Sequence, residues 1–226
     1  MGRVRYVSHL PDQLSTNSPI AHLQHIKGRP EKYQIVGLLN SSVANAKAAI
    51  ERYGLLPTTR AYASPEELAT DSNVDLVVCA TRVDRHYETL LPAVRAGKNV
   101  FTEWPLAVNL AEARLLTEAA QNSGAKTVIG LQGHASAYVQ KIKEIIASGR
   151  IGKVLSTTVI GTANYWGLEP TISGLKYFAE KKVGGNMATI HFAHCKFHLI
   201  ESLEMQSSRF IQDRKITPRE TSQRKT

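Results

Sequence analysis

Cysteine is scarce in this chain of 226 residues, being confined to Cys79 and Cys195. Two thiols so far apart make neither a disulfide framework nor a zinc site, both of which need several cysteines at close spacing. Cys79 lies in the apolar run Asp75-Leu-Val-Val-Cys-Ala-Thr81 and reads as a small core side chain rather than a nucleophile. Long hydrophobic runs are also missing. None approaches the roughly 18 residues that a membrane helix requires, and Met1–Leu10 has Arg3 and Arg5 but no apolar stretch behind them to make a secretory signal. The expectation is a protein of the cytoplasm or nucleus with no membrane partner.

Glycine is absent between Gly2 and Gly28, so this stretch has no material for a glycine-rich phosphate cradle. Acidic residues are outnumbered, 19 against 28 basic ones, giving a net charge of +9. That excess invites a nucleic-acid reading. Much of it sits in residues 207–226, where Arg209, Arg214, Lys215, Arg219, Arg224 and Lys225 face only Asp213 and Glu220. This segment is polar and expected to be disordered. No base-reading motif accompanies the charge, so direct nucleic-acid binding is not expected.

What is present, from Tyr33 to Gly130, is an alternation of short apolar runs and longer amphipathic ones. Tyr33–Leu39, Asp75–Thr81, Asn99–Thr102 and Lys126–Gly130 read as strands, and Val4–Val7 as a remnant first strand. Between them, Val43–Tyr53 follows Ser42, a short helix follows Ser64-Pro65, and Asp84–Ala96 and Leu110–Gln121 complete the set, with a kink expected at Pro92. Strands alternating with helices imply βαβ units, a parallel sheet and right-handed crossovers. Ligands of such sheets bind beyond the carboxyl ends of the strands. The informative residues are therefore Asn40-Ser41, Thr81-Arg82, Glu103-Trp104-Pro105 and Gln132-Gly133-His134. Beyond them, Ala137–Ser148 predicts a helix, Lys153–Ile160 a β-branched strand, and Gly184-Gly185-Asn186 the start of a helix to about Leu203. One strand and two helices are too little for a core, so this second region reads as part of a domain whose sheet is missing.

Three ordered segments carry a resemblance. Thr81-Arg-Val-Asp-Arg-His86, Gly97-Lys-Asn-Val-Phe-Thr-Glu103-Trp-Pro105-Leu-Ala107 and Gly149-Arg-Ile-Gly-Lys-Val154 are similar to the T-P-x-x-x-H, G-K-H-V-x-x-E-K-P-L-A and G-x-I-G-K-V motifs of the Gfo/Idh/MocA oxidoreductases. The match extends over about residues 20–200. It implies an α/β fold: a Rossmann-like parallel sheet over 1–135, a partial second α/β domain over 136–205, and the basic tail 206–226. It also implies a cofactor, NAD or NADP, with Thr81, His86 and Glu103 toward the nicotinamide half, Asn40-Ser41 toward the adenosine ribose, and Arg82, Trp104 and Gln132 as further cofactor-binding candidates. Asn-Ser is neutral, which leaves NAD and NADP both open, because an Asp there would favour NAD.

The departures from the motifs bear on activity. Trp104 stands where the family's dehydrogenases have the lysine of E-K-P. The family's D-x-x-x-H falls on Ile190 and His194, so His194 alone remains as a catalytic candidate. An indole has only a donor N–H and cannot hand a proton back and forth. Two readings of Trp104 stand open: a ring stacked on the nicotinamide or a neighbouring ring, or an anchor for the Pro105-Leu106 turn. His134, where relatives often have Arg, is expected on the solvated surface, and His191 with His194 is not expected to bind metal. The E-W-P variant, with Asn40-Ser41-Ser42 and Gly130-Leu-Gln-Gly133, resembles the family's fungal galactose-repressor branch. That resemblance implies a regulatory protein that binds a dinucleotide and a transcriptional activator, with a homodimer possible. An active oxidoreductase on a sugar, polyol or secondary metabolite, and an inactive truncated fragment, are the alternatives.

Overall fold

The structure is a computed structural model, and it describes residues 4–9, 18–158, 160, 177–186 and 188–195, with backbone alone at 4–9, 18–22 and 134. Six strands, β1 (Val4–His9), β2 (Tyr33–Leu39), β3 (Arg60–Tyr62), β4 (Leu76–Cys79), β5 (Asn99–Glu103) and β6 (Thr127–Gly130), form one sheet in the order β3-β2-β1-β4-β5-β6. All five pairings are parallel. The strand order reverses direction at β1, which is the switch point of a doubly wound dinucleotide fold. Val4–His9 is therefore no remnant: it is a central strand, pairing with β2 on one side and β4 on the other. Its register slips between Tyr6 and Val7.

Six helices are described: α1 (Ser18–Lys27), α2 (Val43–Arg52), α3 (Pro65–Thr70), α4 (Val83–Arg95), α5 (Leu110–Ser123) and α6 (Ala137–Ala147). Their starts follow from the sequence. Ser42, Ser64 and Asn109 each accept a hydrogen bond from the amide three residues on, at 3.1, 3.2 and 2.9 Å, which satisfies a donor that the helix leaves open. Pro65 sits at the first turn of α3, where no amide is needed. Gly124 closes α5 in the left-handed region, φ 72°. Helix α4 continues through Pro92 to Arg95.

Two apolar clusters cover the two faces of the sheet. Leu38 joins Leu23 and Ala46 from α1 and α2. Its neighbour Leu39 points to the other face, with Val77, Cys79 and Val100 of the sheet and Leu68, Leu90, Val94 and Leu116 of α3, α4 and α5. Adjacent strand residues alternate faces, so β2 serves both clusters. Cys79 is fully buried and burial pushes its thiol up to about 11, so it is an inert core residue.

Strand β3 was not expected, because three residues with an exposed Arg60 carry no apolar period. It pairs with β2, buries Tyr62 in the core and is tied by polar contacts to the helix that follows. Arg60 binds Asp71 at 3.0 Å and also Glu67, and its guanidinium lies 5.0 Å from the centre of the Tyr62 ring. The Tyr62 hydroxyl donates to Asp71 at 2.9 Å.

The chain divides into two compact units, one drawn from Met1–Leu131 and Thr162–Ala193, the other from Gln132–Gly161 and His194–Thr226. In the second unit the 3-10 turn Gln132–Ala135 precedes α6, whose Val139 and Ile146 are buried. The strand expected at Lys153–Ile160 is not formed at the described residues 153–158 and 160. A strand exists by pairing its backbone with another, and no described segment pairs with it; Leu155 and Ile160 are 88% and 86% exposed. The helix expected from Gly184 also differs. Lys181–Val183 is a 3-10 turn, Gly184-Gly185-Asn186 follows, and Ala188–Phe192 winds as a single π turn before helical residues 193–195. The expectations for the turn after β1, the basic tail and the His134 side chain lie outside the described residues.

Candidate functional site

Strands β4, β5 and β6 run parallel, so their ends come out on one rim. Cys79 pairs with Thr102, and Glu103 with Gly130. The turns carrying Thr81-Arg82 and Glu103-Trp104-Pro105 are therefore neighbours, and Leu131 leaves the same edge.

His86, on the first turns of α4, joins the two turns from beneath. It is 1% exposed. Its Nδ1 lies 2.9 Å from the Pro105 carbonyl and its Nε2 3.0 Å from the Thr81 carbonyl. A carbonyl oxygen only accepts. A neutral imidazole has one N–H and satisfies one of the two, whereas an imidazolium satisfies both. Burial opposes the charge and holds the pKa below the ordinary histidine value, while the carbonyls and Glu103 pull the other way. His86 is thus a brace for the rim, with both ring nitrogens turned inward.

Arg82 opens α4. Its Nε and Nη2 donate to the two Asp84 oxygens at 3.0 and 2.7 Å, and its guanidinium stands 4.8 Å from the centre of the Tyr177 ring. Trp104 precedes a cis peptide to Pro105. Its indole N–H donates to the Thr189 carbonyl at 2.6 Å. Neither of the two sequence readings of Trp104 included this partner.

Sequence reasoning read a helix start and the D-x-x-x-H position in the segment that receives the Trp104 bond, and missed how that segment docks. Gly184 has φ 79°, and a Cβ there would stand 2.5 Å from the Val108 Cα; one on Gly185 would stand 3.0 Å from the Val83 side chain. Only glycine lets this backbone lie so close to the β5–α5 loop and the start of α4. Asn186 then caps the turn: its Oδ1 accepts from the Ala188 and Thr189 amides at 2.9 and 3.0 Å. The Thr189 hydroxyl donates to the Gly184 carbonyl at 2.7 Å. The signal for this docking was the Gly-Gly-Asn triplet, which reads equally well as a helix start.

At the other half of the rim, β2 is followed by Asn40-Ser41. Asn40 Oδ1 accepts from the Ser41 amide at 2.7 Å, and the Ser41 hydroxyl accepts from the Asn45 side chain at 2.9 Å. The site is polar and neutral. Thr81, Arg82, His86, Glu103 and Trp104 are brought together in the first unit, with Asn40 and Ser41 at the end of a strand of the same sheet. Gln132 and His194 belong to the second unit. No described helix is long and apolar enough to cross a membrane.

Comparison with known proteins agrees with this architecture. Residues 19–131 match the GFO_IDH_MocA family, described as an oxidoreductase family with an NAD-binding Rossmann fold, and residues 137–210 match the Gal80p C-terminal domain. The dehydrogenase aclE of Aspergillus oryzae is 38% identical over 170 residues, covering 73% of this chain and 44% of that protein. The galactose/lactose metabolism regulatory protein GAL80 of Saccharomyces cerevisiae is 32% identical over 179 residues, covering 76% of this chain and 41% of that protein. A crystal structure of a super-repressor mutant of Gal80p from the same yeast superposes with a TM-score of 0.81 at 28% identity, covering 89% of this chain and 53% of that one. The chain thus spans less than half the length of these two curated relatives. By its strand order, its rim motifs and these matches, the chain belongs to the Gfo/Idh/MocA oxidoreductase family, with a Gal80-like second region.

Proposed function

We propose that this chain is a nicotinamide-dinucleotide-binding protein with a regulatory role, in which the proton-handling part of a dehydrogenase centre has been lost. One observation carries the reading: where relatives have the lysine of E-K-P, Trp104 spends its single N–H on a backbone carbonyl. A bound nicotinamide supplies hydride chemistry, and oxidation or reduction of a carbinol also needs a proton moved at its oxygen. Trp104 cannot move one, Ile190 has none, and both nitrogens of His86 face carbonyls inside the fold. His194 is what remains of the motif.

The rim fits a dinucleotide in part. The sheet order provides the switch point, and Asn40-Ser41 offers neutral polar groups suited to a ribose, with no carboxylate to repel a 2′-phosphate; NAD and NADP are both admitted. The similarity to a galactose/lactose regulatory protein supports a transcriptional activator as protein partner, action in the cytoplasm or nucleus, and a homodimer. Titration with NAD(H) and NADP(H), followed by tryptophan emission, should give saturable quenching. Incubation with either cofactor and a panel of sugars and polyols should leave the nicotinamide absorbance band unchanged.

The second reading is an active oxidoreductase, favoured by the 38% identity to a protein named as a dehydrogenase. Turnover in the same panel, abolished by His194→Ala, would establish it in place of the first.

A further inference from the structure

Helices α4 and α5 pack side by side on one face of the sheet and leave a cleft of about 330 Å³ between them. None of the rim residues lines it. Tyr87 and Leu91 of α4 and Leu115 and Ala119 of α5 give it apolar walls. On each helix these residues are four apart, so each turns one stripe into the cleft. Leu115 is left 49% exposed there. Arg95, one turn beyond Leu91, and Glu118 of α5 add one charge from each wall. The neighbouring charges of α4 are already paired, Asp84 with Arg82 and Arg85 with Glu88. Among the described residues, Arg95 and Glu118 form no ion pair, with each other or with any other group. Helix α4 also runs through Pro92, which has no amide to offer the Glu88 carbonyl, so that acceptor lacks its helical donor at the turn containing Leu91.

We propose that the α4–α5 cleft binds a free α-amino acid with an apolar side chain: its carboxylate meets Arg95, its ammonium meets Glu118, and its side chain lies along Tyr87, Leu91, Leu115 and Ala119. The argument is one of matching charge. Opposite charges that face one cleft from its two walls without pairing leave a gap that a zwitterion closes at both ends. A simple anion or cation gains one partner and meets the other as a like charge. A guanidinium takes a carboxylate with two parallel N–H donors, and the Glu88 carbonyl is a second acceptor for an ammonium. The volume stands at the lower end for small-molecule sites, which suits an amino acid and is too small for a dinucleotide. Arg95 and Glu118 are both exposed, so each contact contributes little, and the affinity is of about millimolar order.

The test is a titration of the full chain with L-phenylalanine, followed by the amide resonances of Tyr87–Arg95 and Leu115–Asn122. Two analogues run beside it: 3-phenylpropionate, which lacks the ammonium, and phenethylamine, which lacks the carboxylate. Phenylalanine should shift these resonances saturably and bind about two- to fivefold more tightly than either analogue. Glu118→Gln should remove its advantage over 3-phenylpropionate and keep that over phenethylamine; Arg95→Gln should do the reverse. Both side chains are exposed and unpaired, so both variants should keep the wild-type melting midpoint. Equal binding of the three probes by the wild type overturns the zwitterion reading, as does an advantage that survives both substitutions. No shift at these resonances up to the solubility limit of phenylalanine overturns the site. Resonances that move with protein concentration alone assign the cleft to a second copy of the chain, which overturns it as well.

Discussion

Single residues in this fold are committed by their neighbours to a degree that their identity alone does not reveal. Gly37 lies in β2, where a larger side chain would suit a strand, yet a Cβ there would stand 2.3 Å from the Tyr62 ring and 2.9 Å from the Arg60 carbonyl. The ring is fixed by its bond to Asp71 and cannot yield freely. Gly37→Ala should therefore destabilise the chain by about 1–3 kcal/mol, read as a lower urea midpoint. His86 provides a pH dependence of definite sign. Its folded pKa is below its unfolded value because burial disfavours the charge, so the unfolded chain binds the proton first. Stability is complete above about pH 6.5 and is lost as the pH falls below it, by at most about 1.4 kcal/mol per unit for this one group. His191, also lowered by burial, acts in the same direction. Urea melts at stepped pH should show this slope, and His86→Asn should flatten it.

At the scale of elements, the regular pieces were largely legible. Strands β2, β4, β5 and β6 and helices α2, α3, α4, α5 and α6 follow from apolar period, capping residues and stop glycines, all of which act within a few residues of chain. Asn109→Ala removes the cap of α5 and should cost about 1 kcal/mol, visible as a lower thermal midpoint with the sheet's circular dichroism otherwise unchanged. The elements that were not legible are those held by distant partners. Strand β3 depends on its pairing with Gly37–Leu39 of β2, more than twenty residues back in the chain. The expected strand at Lys153–Ile160 has the right side chains and no described neighbour to pair with. The turn at Gly184 is set by the shape of Val108 and Val83, which no local pattern encodes.

For the whole molecule, the second unit bears the clearest consequence. Ile151, Leu155 and Ile160 are exposed within one short stretch. Apolar side chains so placed bind hydrophobic dye and promote association. The pair Leu155→Asn with Ile160→Asn should reduce dye binding and concentration-dependent light scattering while leaving the melting midpoint of the first unit in place, since neither side chain is buried. A fall in that midpoint would show that the stretch contributes to folding after all.

The amino-acid sequence by itself determined the sheet class, the position of the rim and the presence of tryptophan where the resembled motif has lysine, because each is written in local period or in residue identity at a motif. Tertiary structure alone decided the partner of that tryptophan. Whether Trp104 meets a ligand, a turn or a backbone carbonyl depends on where a segment 85 residues away comes to rest. That is settled by close packing at two glycines and one asparagine cap, where distances of a few tenths of an ångström decide which groups can meet.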